Sequence, residues 1–275
     1  MNAALAPARA QARPGPAVAG PVSQVRVVRS EWVKLRALRS TWSCMLIAVL
    51  LIVGVGAVFA GGEPYRVSAS HPAAYAVSVS LYGILVAQLV IGALGVLVFS
   101  GEYGTGMIRA SLAVVPSRLP VLWAKLIVLA GLVLPVTLLC AFADFFTATA
   151  LNSARGGSVI SLTDSGVLRT VVGASLYLTV VVVIALALGA LLRKTAAGLS
   201  VFAAVFFVVP IVVNALPHKI TGFAPYLPSN AGGVLWGDPL STTNALSPWT
   251  GFAVLCGYAV VLIALAAWQL RRRDA

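Results

Sequence analysis

Charge is what this sequence has least of. Asp, Glu, Lys and Arg make up only 9% of its 275 residues, and just 7 residues are acidic. A soluble domain carries roughly a quarter charged residues, because water must wet its surface. With 60% hydrophobic residues, a soluble fold of this length has nowhere to hide its apolar side chains. Mean hydropathy of +0.99 agrees. An ordinary soluble enzyme and a disordered chain are both excluded. Cysteine is scarce too. Cys44, Cys140 and Cys256 all fall in apolar segments, which predicts small packing residues and no disulfide framework. The two histidines, His71 and His218, stand in separate polar segments with no second ligand at i+3 or i+4, so no metal site is predicted.

Catalytic signatures are missing as well. The chain has no G-x-x-x-x-G-K-[ST] loop, no H-E-x-x-H, no G-x-S-x-G and no paired-carboxylate cluster. No catalytic residue, no cofactor and no nucleotide bound by the chain itself is expected. If it moves a solute, the energy comes from an ion gradient or from a separate ATPase chain.

What is present is six apolar runs, at about 43–60, 78–99, 121–143, 170–192, 197–215 and 250–270. Each is about 18 to 23 residues, long enough as a helix to cross ~30 Å of hydrocarbon. The runs are continuous rather than alternating, which favours helices over strands. Pro210 is expected to kink or shorten the fifth. The predicted fold class is therefore all-α: a polytopic integral membrane protein with six transmembrane helices. Residues 1–24, rich in Ala, Pro, Gly and Arg, read as a disordered cytoplasmic tail. Residues 25–272 form one transmembrane domain, without internal repeats.

The net charge of +12 would point to nucleic acid in a soluble protein, but no basic-aromatic module accompanies it. It fits the positive-inside bias instead. With both termini cytoplasmic, 15 lysines and arginines lie inside and 4 outside.

Three segments carry the remaining signal. Ser23 to Trp42 reads SQVRVVRSEWVKLRALRSTW. At about 100° per residue, Val28, Trp32, Leu35, Leu38 and Trp42 share an arc of about 120°, interrupted by Glu31 and Arg39. A basic helix with Trp on its apolar side suits a membrane surface and contact with lipid, and Trp32, Lys34, Leu35, Arg39 and Trp42 are its candidate contact residues. After the second run, SGEYGTGMIRASLAVVPSRLPVLWAK joins spans 2 and 3, with glycines for tight turns and a short helix predicted over Ile108 to Val115. Within the spans, Gln88 and Asp144 are the polar residues that could line a path or pack helix on helix. Asp144 is predicted at a solvated helix end.

SEWVKLRALRSTW, GEYGTGMIR followed by SLAVVPSR and then AK, and YLPSNAG at Tyr226 to Gly232 resemble the permease subunits of type-2 ABC exporters, especially actinobacterial ones. The resemblance covers roughly residues 27 to 272. It implies a permease of a bacterial plasma membrane, working with an ABC ATPase subunit that binds the ATP and with a second permease copy or paralogue. It implies that Ser30 to Trp42 is the interface helix and that Gly101 to Arg118 touches the ATPase, through Glu102, Tyr103, Gly106, Arg109 and Arg118. It implies short re-entrant or extracellular helices between about 216 and 249. An ion-coupled carrier, a non-transporting scaffold or immunity protein, and an intramembrane enzyme are the rival readings. The scarcity of buried carboxylates argues against the first.

Overall fold

The computed structural model describes residues 23–62, 64–68, 72–104, 119–217, 222–237 and 246–272. Among them the regular structure is helical, with no strand. In chain order the helices are α1 (Gln24–Ala37), α2 (Arg39–Ala60), α3 (Ala73–Ser80), α4 (Gly83–Gly104), α5 (Leu119–Ala154), α6 (Val167–Leu192), α7 (Thr195–Asn214), α8 (Pro228–Gly233) and α9 (Pro248–Arg272). Six of them, α2, α4, α5, α6, α7 and α9, are long and apolar enough to cross a membrane. That matches the six runs in number and order.

Their ends differ from the sequence reading in instructive ways. α5 has 36 residues, not the 23 or so of an apolar core. At 1.5 Å per residue it is about 54 Å long and outreaches a hydrocarbon core of ~30 Å. Pro135 lies inside it without ending it. The second run begins at α3, breaks at Leu81 and Tyr82, and continues as α4. Gly83 opens α4 directly against the Leu51 and Ile52 backbone, where a Cβ would have no room. Pro210 does not shorten the fifth span. One π turn, Ala204–Val208, precedes it instead, with the Val209 N–H bonded back to the Ala204 carbonyl. The wider turn accommodates a residue that brings no N–H of its own.

α6 is the central post. α4 crosses it closely because small residues meet at the contact: Gly95 faces the Val182 carbonyl and Ala185, and Gly189 faces the Val96 backbone. Phe202 of α7 fills the notch left by Gly92. The outward faces of α2 and α9 expose Leu46, Leu50, Val260 and Trp268, as a lipid-facing surface does.

The described helix ends fall into two layers. α1, the last turns of α4, α6 and α9, and the first turns of α5 and α7 lie at one end of the bundle, here termed the basic end. At the far end, residues 222–237 fold back into the bundle as a 3-10 turn (Ala224–Tyr226) and α8. Gly232 packs on Tyr177 and Leu255, and Leu235 on Gly173. Trp236 is fully buried, its ring 6.5 Å from that of Tyr177. Short helices were expected between 216 and 249, and these two lie there. Of the cysteines, all free, only Cys140 is buried.

Candidate functional site

At the basic end four charged side chains form a closed ring. α1 turns Val27, Glu31 and Leu35 inward, one stripe at i, i+4 and i+8. Glu31 does not interrupt the packed face; it is the middle of it, and Trp32 is exposed to the outside. Of the predicted apolar arc Leu35 is buried, while Trp32, Leu38 and Trp42 are exposed, so the arc marks the packed face only in part. Val27 meets Val121 and Ala124 on α5, and the Gln24 side chain donates to the Pro120 carbonyl at 3.0 Å. This brings Glu31 to Lys125, whose Nζ lies 2.7 Å from Glu31 Oε2 and 2.7 Å from Glu102 Oε1. Lys34 closes the ring, 2.6 Å from Glu31 Oε1 and 3.5 Å from Glu102 Oε1. Two carboxylates and two ammonium groups leave it neutral. Three members are buried: Glu31 is 4% exposed, Lys125 3% and Glu102 8%. Partial burial disfavours the Lys34 ammonium, but the Glu31 and Glu102 carboxylates outweigh this and raise its pKa above the ordinary lysine value.

Such a ring is weak evidence for net stability, because desolvation offsets attraction. It fixes geometry instead. It binds α1 to the end of α4 and the start of α5.

The last turn of α4 gathers further partners. Tyr103 stacks on Phe99, centroids 5.9 Å apart, and carries the Arg193 guanidinium 5.3 Å over its ring. Ser100 and Thr195 share a hydrogen bond of 3.0 Å. Arg193 ends α6 in the left-handed region, φ 54°, and lets the chain turn at once into α7. On the other side, α1 ends at Leu38. The Trp42 indole donates to the Arg36 carbonyl at 3.0 Å, and Arg36 lies 6.0 Å over Trp32. Trp32, Arg36, Arg39 and Trp42 are all exposed, and Leu35 is buried.

The match to the family model described as ABC-2 family transporter protein runs over residues 27–211. This covers every helix from α1 through most of α7 and all four members of the ring. The chain belongs to the ABC-2 transporter family. It is a membrane permease, built to work with an ATPase subunit in an ABC transporter. No curated protein matches the chain.

In this permease the sequence-derived site residues divide. Glu102 lies in helix α4, not in a loop, and its carboxylate turns inward to Lys125 rather than outward to a partner. Tyr103 is half-buried beside it. Gly106, Arg109 and Arg118 lie outside the described residues, as do the predicted helix Ile108 to Val115, both histidines and most of the tail. Gln88 is not at the ring: it is fourteen residues before Glu102, about 21 Å along α4. It accepts a hydrogen bond from the Tyr177 hydroxyl, both residues being buried. Asp144 is 2% exposed, so it is not a solvated helix end. Its carboxylate presses on Gly56 of α2, where a Cβ would collide with it, and Oδ2 has no hydrogen-bond partner. Among the described residues no cluster could hold a metal ion.

Glu31 and Lys125 were missed as site residues. Both left a signal. Glu31 precedes Lys34 by three residues, and Lys125 sits inside an apolar run, where a charge needs a partner.

Proposed function

We propose that this chain is the path-forming subunit of an ATP-driven exporter, with the basic end facing the cytoplasm of a bacterial plasma membrane. Ten of the thirteen described lysines and arginines lie at that end, which supports the orientation under the positive-inside rule. A partner ATPase docks there against the segment that follows α4. Two copies of the permease, or this chain and a paralogue, enclose the substrate path.

The single observation that carries the mechanism is the ring. Because Glu31, Lys34, Glu102 and Lys125 are cross-bonded, α1 and the adjoining turns of α4 and α5 move as one block. Nucleotide-driven closure of the ATPases displaces the segment after α4. The ring transmits that displacement to α1 and to α5, whose far end reaches the opposite surface. There residues 222–237 cover the path between α6 and α9 until the helices part. The chain supplies path and lever, while bond-breaking chemistry belongs to the partner.

Co-expression with a candidate ATPase, followed by purification and reconstitution in nanodiscs, tests this. The ATPase is expected to co-purify, and its turnover to respond to the permease. Replacing Glu31 and Lys125 together by Met is expected to keep the complex assembled while uncoupling hydrolysis from transport. Transport that persists without any ATPase and collapses with an uncoupler would overturn the reading in favour of an ion-coupled carrier.

A further inference from the structure

Of the ten described lysines and arginines at the basic end, the ring takes up two, Lys34 and Lys125, together with both described carboxylates of that end. Eight cations remain, and among the described residues none of them has a carboxylate within ion-pair reach. Three gather at one place. Arg29, Trp32 and Arg36 form a stripe at i, i+3 and i+7 on the face of α1 opposite Glu31, and Arg39 follows in the first turn of α2. All four side chains are exposed.

Their depth is fixed by packing. α1 is held on Pro120, Val121 and Ala124, in the same turn of α5 that turns Trp123 outward, 49% exposed. Four of the five exposed tryptophans, Trp32, Trp42, Trp123 and Trp268, lie at this end. Tryptophan on the outer surface of a span marks the headgroup layer. Below Arg39 the surface changes character along one stripe of α2: Trp42, Leu46 and Leu50, spaced i, i+4 and i+8, are all exposed. Arginine, then indole, then aliphatic side chain is the order of an amphiphile.

We propose that this elbow binds an anionic glycerophospholipid of the adjoining leaflet. Its phosphate takes the Arg36 and Arg39 guanidinium groups, whose planar donor forks match phosphate oxygens. An acyl chain runs down α2 past Trp42, Leu46 and Leu50. The uncompensated cations select a net anion, whereas a zwitterionic head brings an ammonium of its own. The apolar stripe directly beneath them selects a lipid over an acidic protein surface. This goes beyond the transport reading and does not depend on it.

The full-length chain, purified in mild detergent and offered equal amounts of phosphatidylglycerol, phosphatidylcholine and phosphatidylethanolamine, tests the proposal. The lipid retained after chromatography is counted by mass spectrometry. Phosphatidylglycerol is expected to be held about twentyfold better than phosphatidylcholine, at about fivefold for each arginine near a membrane surface. Arg36→Gln with Arg39→Gln is expected to remove most of that preference. Both side chains are exposed, and the Arg36 carbonyl that holds Trp42 is untouched, so elution volume and Tm should stay those of the unaltered chain. Arg66→Gln removes an exposed charge at the far end and is expected to leave the preference as it is. Inorganic phosphate, which brings no acyl chain, is not expected to displace the lipid. The proposal fails if either zwitterionic lipid is held as well as phosphatidylglycerol, or if inorganic phosphate displaces it. It fails if the double variant loses no more preference than Arg66→Gln. It fails too if the double variant keeps its lipid and instead releases a co-expressed ATPase, since the face then belongs to that protein.

Discussion

Among its described residues the permease buries charged side chains in two places and treats them in opposite ways. At the basic end four charged groups satisfy one another in a ring. Toward the far end Asp144 is buried alone, its carboxylate held against Gly56 about 6 Å from the end of α2. A paired charge resists loss of its partner, whereas a lone one is a strain that its own removal relieves. Substitutions at the two places should therefore differ in sign.

The largest effect is expected at Lys125. Lys125→Met leaves the buried Glu31 and Glu102 carboxylates to share the partly exposed Lys34 alone, a loss of about 3–5 kcal/mol. Thermal unfolding in detergent should show it as a large fall in Tm. Adding Glu31→Met should recover much of the loss, since the Lys34–Glu102 pair then stands alone and balanced. At the other place Asp144→Leu should leave Tm unchanged or raise it, because a buried acceptor without a partner is removed. A fall comparable to that of Lys125→Met would break the comparison and make Asp144 a paired group in the assembled transporter.

A second test sharpens the contrast by crowding rather than by charge. Gly56→Val drives a side chain into the Asp144 carboxylate, an overpacking of about 1–3 kcal/mol. In an Asp144→Ala background most of that loss should vanish, and a double-mutant cycle on Tm would measure the coupling. Two additive single effects would mean that the two residues do not share the contact.

Between the two places lies a neutral contact of ordinary strength. Tyr177→Phe removes the hydroxyl that bonds to Gln88 and should cost about 1 kcal/mol in the same unfolding assay. A loss as large as that of Lys125→Met would mark this contact as part of a larger network. The smallest effect is the alkaline limit of the ring. The Lys34 pKa is raised, so its contribution is complete below the ordinary value of 10.5 and fades as pH rises through the higher folded value. Partial exposure screens it, so a modest decline in Tm above about pH 10.5 is expected in the unaltered chain, and a smaller one in Lys34→Met.

Six spans were readable because a bilayer imposes length and continuity, and nothing else satisfies a backbone in hydrocarbon. Their ends were less so. Residues 144–154 of α5 are too polar for a hydropathy window, yet Asn152 anchors them by bonding to both the Tyr65 backbone and the Ser158 carbonyl. Glu31 was misjudged for a different reason. A helical wheel assigns the inner face to the apolar residues, and here Trp32, Leu38 and Trp42 of that arc stay exposed while Glu31 packs inward beside Leu35. Lys125 entered the orientation count and the family-like motif, but not the site. Neither residue could be paired from spacing alone, since they are 94 positions apart.

Leu38 alone separates α1 from α2, in extended backbone with φ −80° and ψ 116°. One residue supplies two soft torsions. The first helix thus hangs from the second on a joint with two degrees of freedom, too short to slacken and too simple to absorb twist. Any torque applied to α1 either rotates that joint or is resisted where α1 meets α5, at Gln24, at Val27 and at the ring. Substituting proline at Arg39 would stiffen Leu38 toward the extended form it already holds. The joint itself, more than either helix, then sets how far the block can swing.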